Sequence, residues 1–216
     1  MSEELPGALC VQIDHVMQSL VQQDTRMHLY RKTVMTTTAD PIQAKVKSWF
    51  QVIDSDDDGV VHWSDYKAYI NRTLGVVRVD KNHPIAYKLT DAYLWLWREA
   101  QSRVHGDQIP GDASLSAAEH WNALNAQIEV RSLELSTVFD ATASLYANTL
   151  LHSDHFKAVL QGWGITGVDA EAAFAQLDGD KSERISKSEL FSALWDVFSS
   201  KDLNSPGSVF LGFYHA

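Results

Sequence analysis

Residues 54–65 place carboxylates and a glycine at the spacing that a metal-binding loop requires. A hard divalent cation takes about six to eight oxygen ligands, which such a loop supplies from side chains at positions 1, 3, 5 and 12 and from the backbone carbonyl at position 7. The carboxylates at those positions are Asp54, Asp56, Asp58 and Asp65, and Val60 offers the carbonyl. Gly59, at position 6, allows the positive φ of the sharp turn. The spacing therefore predicts a cation site.

The residue at position 12 sets the selectivity that we expect of this first loop. The pattern is that of an EF-hand calcium loop, except that Asp65 stands where Glu is usual. Glu can reach the ion with both oxygens and complete the larger calcium shell, whereas the shorter Asp supplies one oxygen and favours the smaller octahedron that Mg²⁺ demands. We therefore expect the first loop to bind Ca²⁺ and to accept Mg²⁺ as well.

A second loop, residues 178–189, carries fewer carboxylates. Its predicted ligands are Asp178, Asp180, Ser182, the carbonyl of Arg184, and Glu189. Glu183 replaces the glycine of position 6, and holding such a residue in the left-handed region costs about 1 to 2 kcal/mol. Lys181 and Lys187 add local positive charge. We expect this last loop to bind calcium more weakly than the first.

The distance between the two loops predicts the elements that position them. They begin at residues 54 and 178, which corresponds to about three helical repeats of ~41 residues, so two further units should lie between them. Helices are predicted over Ala86–Val104, from Leu115, over Val130–Tyr146 and from Ser153, with intervening loops that lack ligand spacing. The predicted fold is all-α: four EF-hand-type helix-loop-helix units in two pairs, two loops degenerate, plus an N-terminal extra helix.

The predicted units divide the chain into four segments. They are an N-terminal helical extension over residues 1–40, a first pair over 41–126, a second pair over 127–200, and an apolar tail over 201–216 docked on the core. The extension contains an amphipathic stretch from Ala8 to Tyr30 that belongs to no metal loop.

Composition limits which binding partners and which cellular compartment we expect. The formal charge of −10 sits partly in the loops, so metal binding would relieve repulsion, and it argues against nucleic acid as a partner. A single cysteine, Cys10, forms no intramolecular disulfide, and the Met-Ser-Glu-Glu start lacks the features of a secretory signal. No apolar run is long enough to cross a bilayer. We expect a cytoplasmic protein.

The chain resembles the sarcoplasmic calcium-binding proteins and the related calexcitin, calerythrin and coelenterazine-binding proteins. The resemblance covers roughly residues 42–214 and rests on the two loops, on Asp65-Tyr66, on Pro110-Gly111 with the closing Glu119, and on the aromatic-Gly segment from Phe210 to Tyr214. It implies a calcium-binding function in one helical body. The third unit departs from the family pattern, because residues 144–155 offer no series of carboxylates where the family usually has a working site.

The family also suggests an alternative use of the many aromatic residues. Related photoproteins and coelenterazine-binding proteins enclose a cavity lined by Trp, Tyr and His, and the candidate lining here is Trp95, His120, Trp121, Trp163 and Tyr214. The same residues would equally fill an apolar core. No nucleophile elbow, phosphate loop or zinc motif is present, so an enzyme would have to use the cavity. Its acids and bases would come from His120, His152, His155, Tyr214 and His215.

Two functions therefore stay open at the level of sequence. The first is an intracellular calcium or calcium/magnesium buffer or signal modulator of the sarcoplasmic type. A sensor with a Met-rich target groove is disfavoured, because all four methionines precede residue 40. The second is a binder of a hydrophobic small molecule, or a cavity enzyme, whose calcium sites are structural. It requires a pocket with convergent polar groups where the buffer requires a filled core.

Overall fold

Nine helices and two short strands make up the described part of this computed structural model, which comprises residues 40–129, 133–147, 151–165 and 167–212. In chain order they are α1 (Pro41–Ile53), β1 (Val60–His62), α2 (Trp63–Val76), α3 (Pro84–His105), β2 (Ser114–Ser116), α4 (Ala117–Glu129), α5 (Leu133–Ala147), α6 (Ser153–Gly162), α7 (Ala170–Leu177), α8 (Lys187–Ser199) and α9 (Pro206–Phe210). The predicted all-α class is confirmed. The predicted N-terminal helix lies outside the described residues.

Local capping explains where the helices begin. The Asp40 Oδ1 accepts a hydrogen bond from the Ile42 N–H at 3.1 Å, and Pro41 occupies the first turn of α1, where its missing N–H has no partner to lose. The Asp169 carboxylate accepts from the N–H groups of Glu171 and Ala172 at the start of α7. Side chains that satisfy free N–H groups thus fix the first turns of the helices that lead into the two loops predicted to bind metal.

Backbone pairing joins the loops two by two. β1 runs antiparallel to β2 with Val61 opposite Leu115, and the Ile185 N–H donates to the Leu151 carbonyl at 2.9 Å in an isolated bridge. The first unit is therefore paired with the second, and the third with the last. Strand β2 also corrects one prediction, because the helix expected from Leu115 begins only at Ala117.

The remaining predicted helices differ from the observed ones only near their ends. α3 extends the predicted Ala86–Val104 by two residues at the start and one at the end, and α6 begins at Ser153 as expected. α5 covers Leu133–Ala147, while residues 130–132 of the predicted Val130–Tyr146 helix lie outside the described part.

A buried lysine connects the beginning and the end of this unit. Lys45 of α1 is fully buried, and its Nζ donates to the carbonyls of Asp196 and Ser200 at 3.2 and 2.7 Å and to the Ser208 Oγ at 3.0 Å. Burial lowers the pKa of Lys45 to about 8. Because these carbonyls lie at the C-terminal end of α8, the lysine also meets the negative end of the helix dipole. The contact holds α1 against α8 and α9.

The two predicted pairs belong to one body. The described residues cluster as a single unit, in which α1 packs on α8 and α9 packs on α7 and α8. The boundary at residue 126/127 stays a prediction. Of the tail, Val209, Phe210 and Leu211 are buried, whereas residues 213–216 lie outside the described part. None of the described helices combines the length and apolarity needed to cross a membrane.

Candidate metal centres

The first loop gathers its alternating aspartates into one group. One carboxylate oxygen from each of Asp54, Asp56 and Asp58 lies within 4.8 Å of the others. The loop is shaped by its own backbone, because the Gly59 N–H donates to Asp54 Oδ2 at 3.2 Å and the Val60 N–H donates to Asp58 Oδ1 at 2.9 Å. Gly59 has the expected positive φ, +89°. These contacts hold the loop in the turn that brings the three carboxylates close together.

The environment of Asp54 gives the clearest indication of a cation site. It is 4% exposed, and its Oδ1 is buried without a hydrogen-bond partner among the described residues. Burial, aided by repulsion from Asp58 and Asp56 and opposed by the Gly59 N–H, raises the pKa of Asp54 to about 6. A buried oxygen without a donor is costly in a folded protein, and a divalent ion at this position would satisfy it. The residues present therefore fit the group that the loop pattern implies.

The acid at position 12 has a second role that recurs in three of the four units. The N–H of His62 donates to Asp65, that of Ser116 to Glu119, and that of Ser186 to Glu189, each at 2.8 Å. Each acid thus caps the helix that leaves its loop. Glu119 was noted in the sequence only as part of the family resemblance. It caps its helix in the same way, although its loop lacks the spacing of metal ligands.

Asp65 does not join the oxygen group of the first loop. The carboxylate oxygens that lie within 4.8 Å of one another come from Asp54, Asp56 and Asp58. In the last loop the corresponding group includes the position-12 residue, Glu189. Asp65 is buried, and burial raises the pKa of its carboxyl. The shorter side chain caps the helix and lies outside this oxygen group, so its part in metal binding and the weaker calcium preference stay predictions.

The Asp65→Glu variant is expected to sharpen calcium selectivity at the first loop by about tenfold or more over Mg²⁺. One added methylene lets the carboxylate reach the ion with both oxygens while the His62 N–H stays within reach. Isothermal titration with Ca²⁺ in the presence and absence of Mg²⁺ measures the change. An Asp91→Glu variant on the exposed face of α3 serves as the control, and equal selectivity in both variants would contradict the role given to position 12.

The last loop also assembles its acids, but they are already partnered. Oxygens of Asp178, Asp180 and Glu189 lie within 4.8 Å of one another. Both oxygens of Asp178 accept backbone hydrogen bonds, from Ser182 and Glu183, each at 2.9 Å. Glu189 Oε1 accepts from the Gly179 N–H at 2.9 Å.

Two further features of the last loop oppose tight binding. Glu183 is held at φ +62°, in the left-handed region that disfavours side chains, where the first loop has Gly59. The Ser182 Oγ donates to the Arg184 carbonyl at 3.1 Å, so the hydroxyl proton must turn away before both oxygens can face an ion. That this loop binds calcium more weakly than the first stays a prediction.

The predicted cavity residues are not all brought together. His120 and Trp163 are buried and Trp121 is partly buried, but Trp95 is 45% exposed and Tyr214 lies outside the described residues. The assignment of Trp95 to a buried cavity is wrong, because α3 turns Tyr93, Leu96 and Trp97 inward instead.

A row of aromatic residues links the two buried members. The Tyr66 hydroxyl lies 3.0 Å from His120 Nε2, and the Trp163 Nε1 donates to the Tyr146 hydroxyl at 2.9 Å. Between them Tyr93 lies 5.9 Å from Tyr66, and Tyr69 contacts both Tyr93 and Trp163 with ring centres 5.5 and 6.3 Å apart. The sequence analysis did not identify tyrosines as hydrogen-bond partners of His120 and Trp163. The spacing of Tyr66 and Tyr69, which places them on one helix face, could have indicated that they share this interior.

This interior contains polar atoms that the described residues leave unsatisfied. His120 Nδ1 and both amide atoms of Gln101 are buried and have no partner among the described residues. Burial lowers the pKa of His120 to about 4, so the ring is neutral at physiological pH. Buried groups of this kind normally meet protein, water or ligand.

The other candidate acids and bases do not form a site with His120. His152 lies on the surface, where its Nδ1 is 3.0 Å from the Glu183 carbonyl, and His155 is exposed on α6. Tyr214 and His215 lie outside the described residues. Of these candidate acids and bases, His120 is the one that the described residues bury in the aromatic interior.

Comparison with known proteins identifies the fold. The calcium-binding protein of Streptomyces coelicolor is 18% identical with a TM-score of 0.57, over 73% of this chain and 98% of that one. The coelenterazine-binding protein of Renilla muelleri is 19% identical with a TM-score of 0.56, over 80% and 96%. The sarcoplasmic calcium-binding protein of amphioxus is 14% identical with a TM-score of 0.58, over 82% and 98%. No family model matches the chain, and no curated protein matches its sequence. The fold implied by the resemblance is confirmed.

Proposed function

We propose that this protein binds calcium through its first and last loops and acts as an intracellular calcium/magnesium buffer or signal modulator of the sarcoplasmic type. The observation that carries the proposal is the first loop, where three aspartates converge and Asp54 Oδ1 is buried without a donor among the described residues. The metal ligands we propose are Asp54, Asp56, Asp58, the Val60 carbonyl and Asp65, with Asp178, Asp180, Ser182, the Arg184 carbonyl and Glu189 in the last loop.

Similar solved proteins support this choice. One is described in the context of prokaryotic calcium-mediated regulation and another as a sarcoplasmic calcium-binding protein. The unequal loops also suit a buffer. A first site that accepts Mg²⁺ exchanges slowly when magnesium occupies it, and a weaker last site responds at higher calcium concentration.

Native mass spectrometry of the purified chain, before and after chelation and with added calcium, tests the proposal. We expect two calcium ions per chain at saturation, with the first loop filling before the last. Asp178→Asn should leave one tight ion, whereas Asp91→Asn on the exposed face of α3 should leave two. A chain that takes up no calcium at micromolar concentration would rule out the proposed function.

A second function is favoured by the aromatic interior. One of the similar structures is a coelenterazine-binding protein, and here His120 Nδ1 and Gln101 are buried without partners among the described residues. A hydrophobic heteroaromatic molecule would pack on the rings of this interior and supply hydrogen bonds to His120 Nδ1 and Gln101. In that case the calcium sites would be structural.

The same mass spectra separate the two functions. An organic adduct that survives purification and is lost in a His120→Phe variant would favour the small-molecule binder. Two calcium ions with no adduct, both in the purified chain and after incubation with an aromatic ligand, would favour the buffer. Calcium uptake is expected in either case, so the adduct decides between them.

A further inference from the structure

A cleft between the end of α2 and α6 combines an apolar floor with positive charge. It has a volume of about 460 Å³, and none of the acids of the two loops lines it. Its lining residues are Val76, Val77, Arg78, Leu151, His155, Ala158 and Val159. A cleft of this size falls within the range of small-molecule sites.

The charge of the cleft is unlike that of the chain. The protein carries a formal charge of −10, yet the lining contains an arginine, a histidine and no carboxylate. The described salt bridges use other cations, namely Lys88, Arg103 and Lys187. Arg78 therefore lines the cleft and takes part in none of the described salt bridges.

The backbone at Arg78 shows that an arginine is not needed there for folding. The Arg78 N–H donates to the Gly75 carbonyl at 3.2 Å and the Val79 N–H to the Leu74 carbonyl at 3.0 Å, which is the hydrogen-bond pattern of a Schellman helix end. The residue at this position takes a left-handed conformation, here φ +54°, and glycine is the usual occupant. Arginine accepts a conformational cost that glycine would avoid.

The remaining left-handed residues other than glycine have a different explanation. Within the described part of the chain they are Asp57, Lys181 and Glu183, and all three lie in the metal loops. Arg78 is the exception outside those loops. Strain at a residue that helix termination does not require calls for a function of its side chain.

We propose that this cleft binds a small amphiphilic anion, a carboxylate with an apolar chain, whose head group meets Arg78 and His155. The guanidinium matches a carboxylate with two parallel hydrogen bonds. The apolar chain would lie on the floor formed by Val77, Leu151 and Val159. This site is distinct from the aromatic interior around His120, and it does not depend on the calcium-buffer proposal.

Titration calorimetry with decanoate tests the site, with decanol as the uncharged probe of equal chain length. Because the Leu151 carbonyl pairs with Ile185 of the last loop, the titrations are made at saturating calcium, which fixes the state of that loop. We expect the wild-type chain to bind decanoate more tightly than decanol. Equal binding of the two probes, or no binding of decanoate, would overturn the proposal.

Arg78→Gly is the decisive variant, because it removes the guanidinium and suits the left-handed backbone. We expect decanoate binding to weaken by about tenfold or more, with an unfolding midpoint at or above that of the wild type. Arg78→Lys should retain part of the affinity, and Arg98→Gln, at an exposed position on α3, should retain all of it. Decanoate affinity that is unchanged in Arg78→Gly would place the ligand elsewhere, for example in the aromatic interior, and would refute the cleft.

Discussion

Replacing Asp54 with Asn is expected to weaken calcium binding at the first loop by more than about 100-fold, because even partners one step removed from a metal account for ~10- to 100-fold in affinity. The substitution removes the charge of position 1, whose Oδ1 is buried and unpartnered among the described residues. Isothermal titration measures the loss, with the exposed Asp91→Asn as control. Unchanged affinity at the first loop would contradict the assignment.

The same variant should change the stability of the metal-free protein in the opposite direction. Burial raises the folded-state pKa of Asp54 from 3.8 to about 6, so its protonated form is the one that the metal-free fold favours. The stability that this gives is fully present below the unfolded-state pKa and is lost as the pH rises through 6. At pH 7 the charged carboxylate therefore destabilises the metal-free fold, and the Asn variant avoids that cost.

Urea unfolding in the presence of a chelator measures this effect. We expect the Asn variant to be more stable than the wild type at pH 7 by about 1 to 3 kcal/mol, and the difference to shrink towards pH 4. With saturating calcium the order should reverse, because only the wild type gains the full binding energy of the first site. A variant less stable than the wild type in both conditions would show that Asp54 serves the fold rather than the metal.

Gly207→Ala is expected to lower the free energy of unfolding by about 3 kcal/mol, at the upper end of the usual cost of overpacking. A Cβ at this position would lie 2.5 Å from the Val197 N and 2.9 Å from the Asp196 carbonyl carbon, and it would also collide with the Ala193 carbonyl oxygen. These are backbone atoms of α8 and cannot rotate away. α9 would have to move off α8, and the Gly207 N–H would lose its hydrogen bond to Asp196 Oδ2.

Urea unfolding at saturating calcium checks this prediction. Displacement of α9 should also loosen Phe210 from Trp163, whose ring centres are 5.2 Å apart, and so shift tryptophan fluorescence. Gly75→Ala is the matched control, because Gly75 is exposed within α2 and a Cβ there meets no atom within 4 Å. It should gain about 0.5 to 1 kcal/mol. Equal unfolding midpoints for Gly207→Ala and the wild type would contradict the packing of α9.

Much of the first loop could be predicted because the relevant information is local. Asp54, Asp56 and Asp58 alternate within a few residues, and Gly59 specifies the turn that brings them together, so their convergence depends little on the rest of the chain. The cavity prediction failed at Trp95 for the opposite reason. Adjacent aromatic residues on α3 point to different sides of the helix, and only packing against its neighbours decides which side is buried.

The sequence by itself determined the spacing of the carboxylates in the two candidate metal loops and the all-α repeat, because turn chemistry and helical periodicity act over short stretches of chain. Tertiary structure decided what distant segments do together. It paired Val61 with Leu115 and Ile185 with Leu151, placed Lys45 under the end of α8, and put Arg78 and His155 along one cleft. Such contacts depend on how the helices pack, and packing is set by the whole core rather than by any one segment.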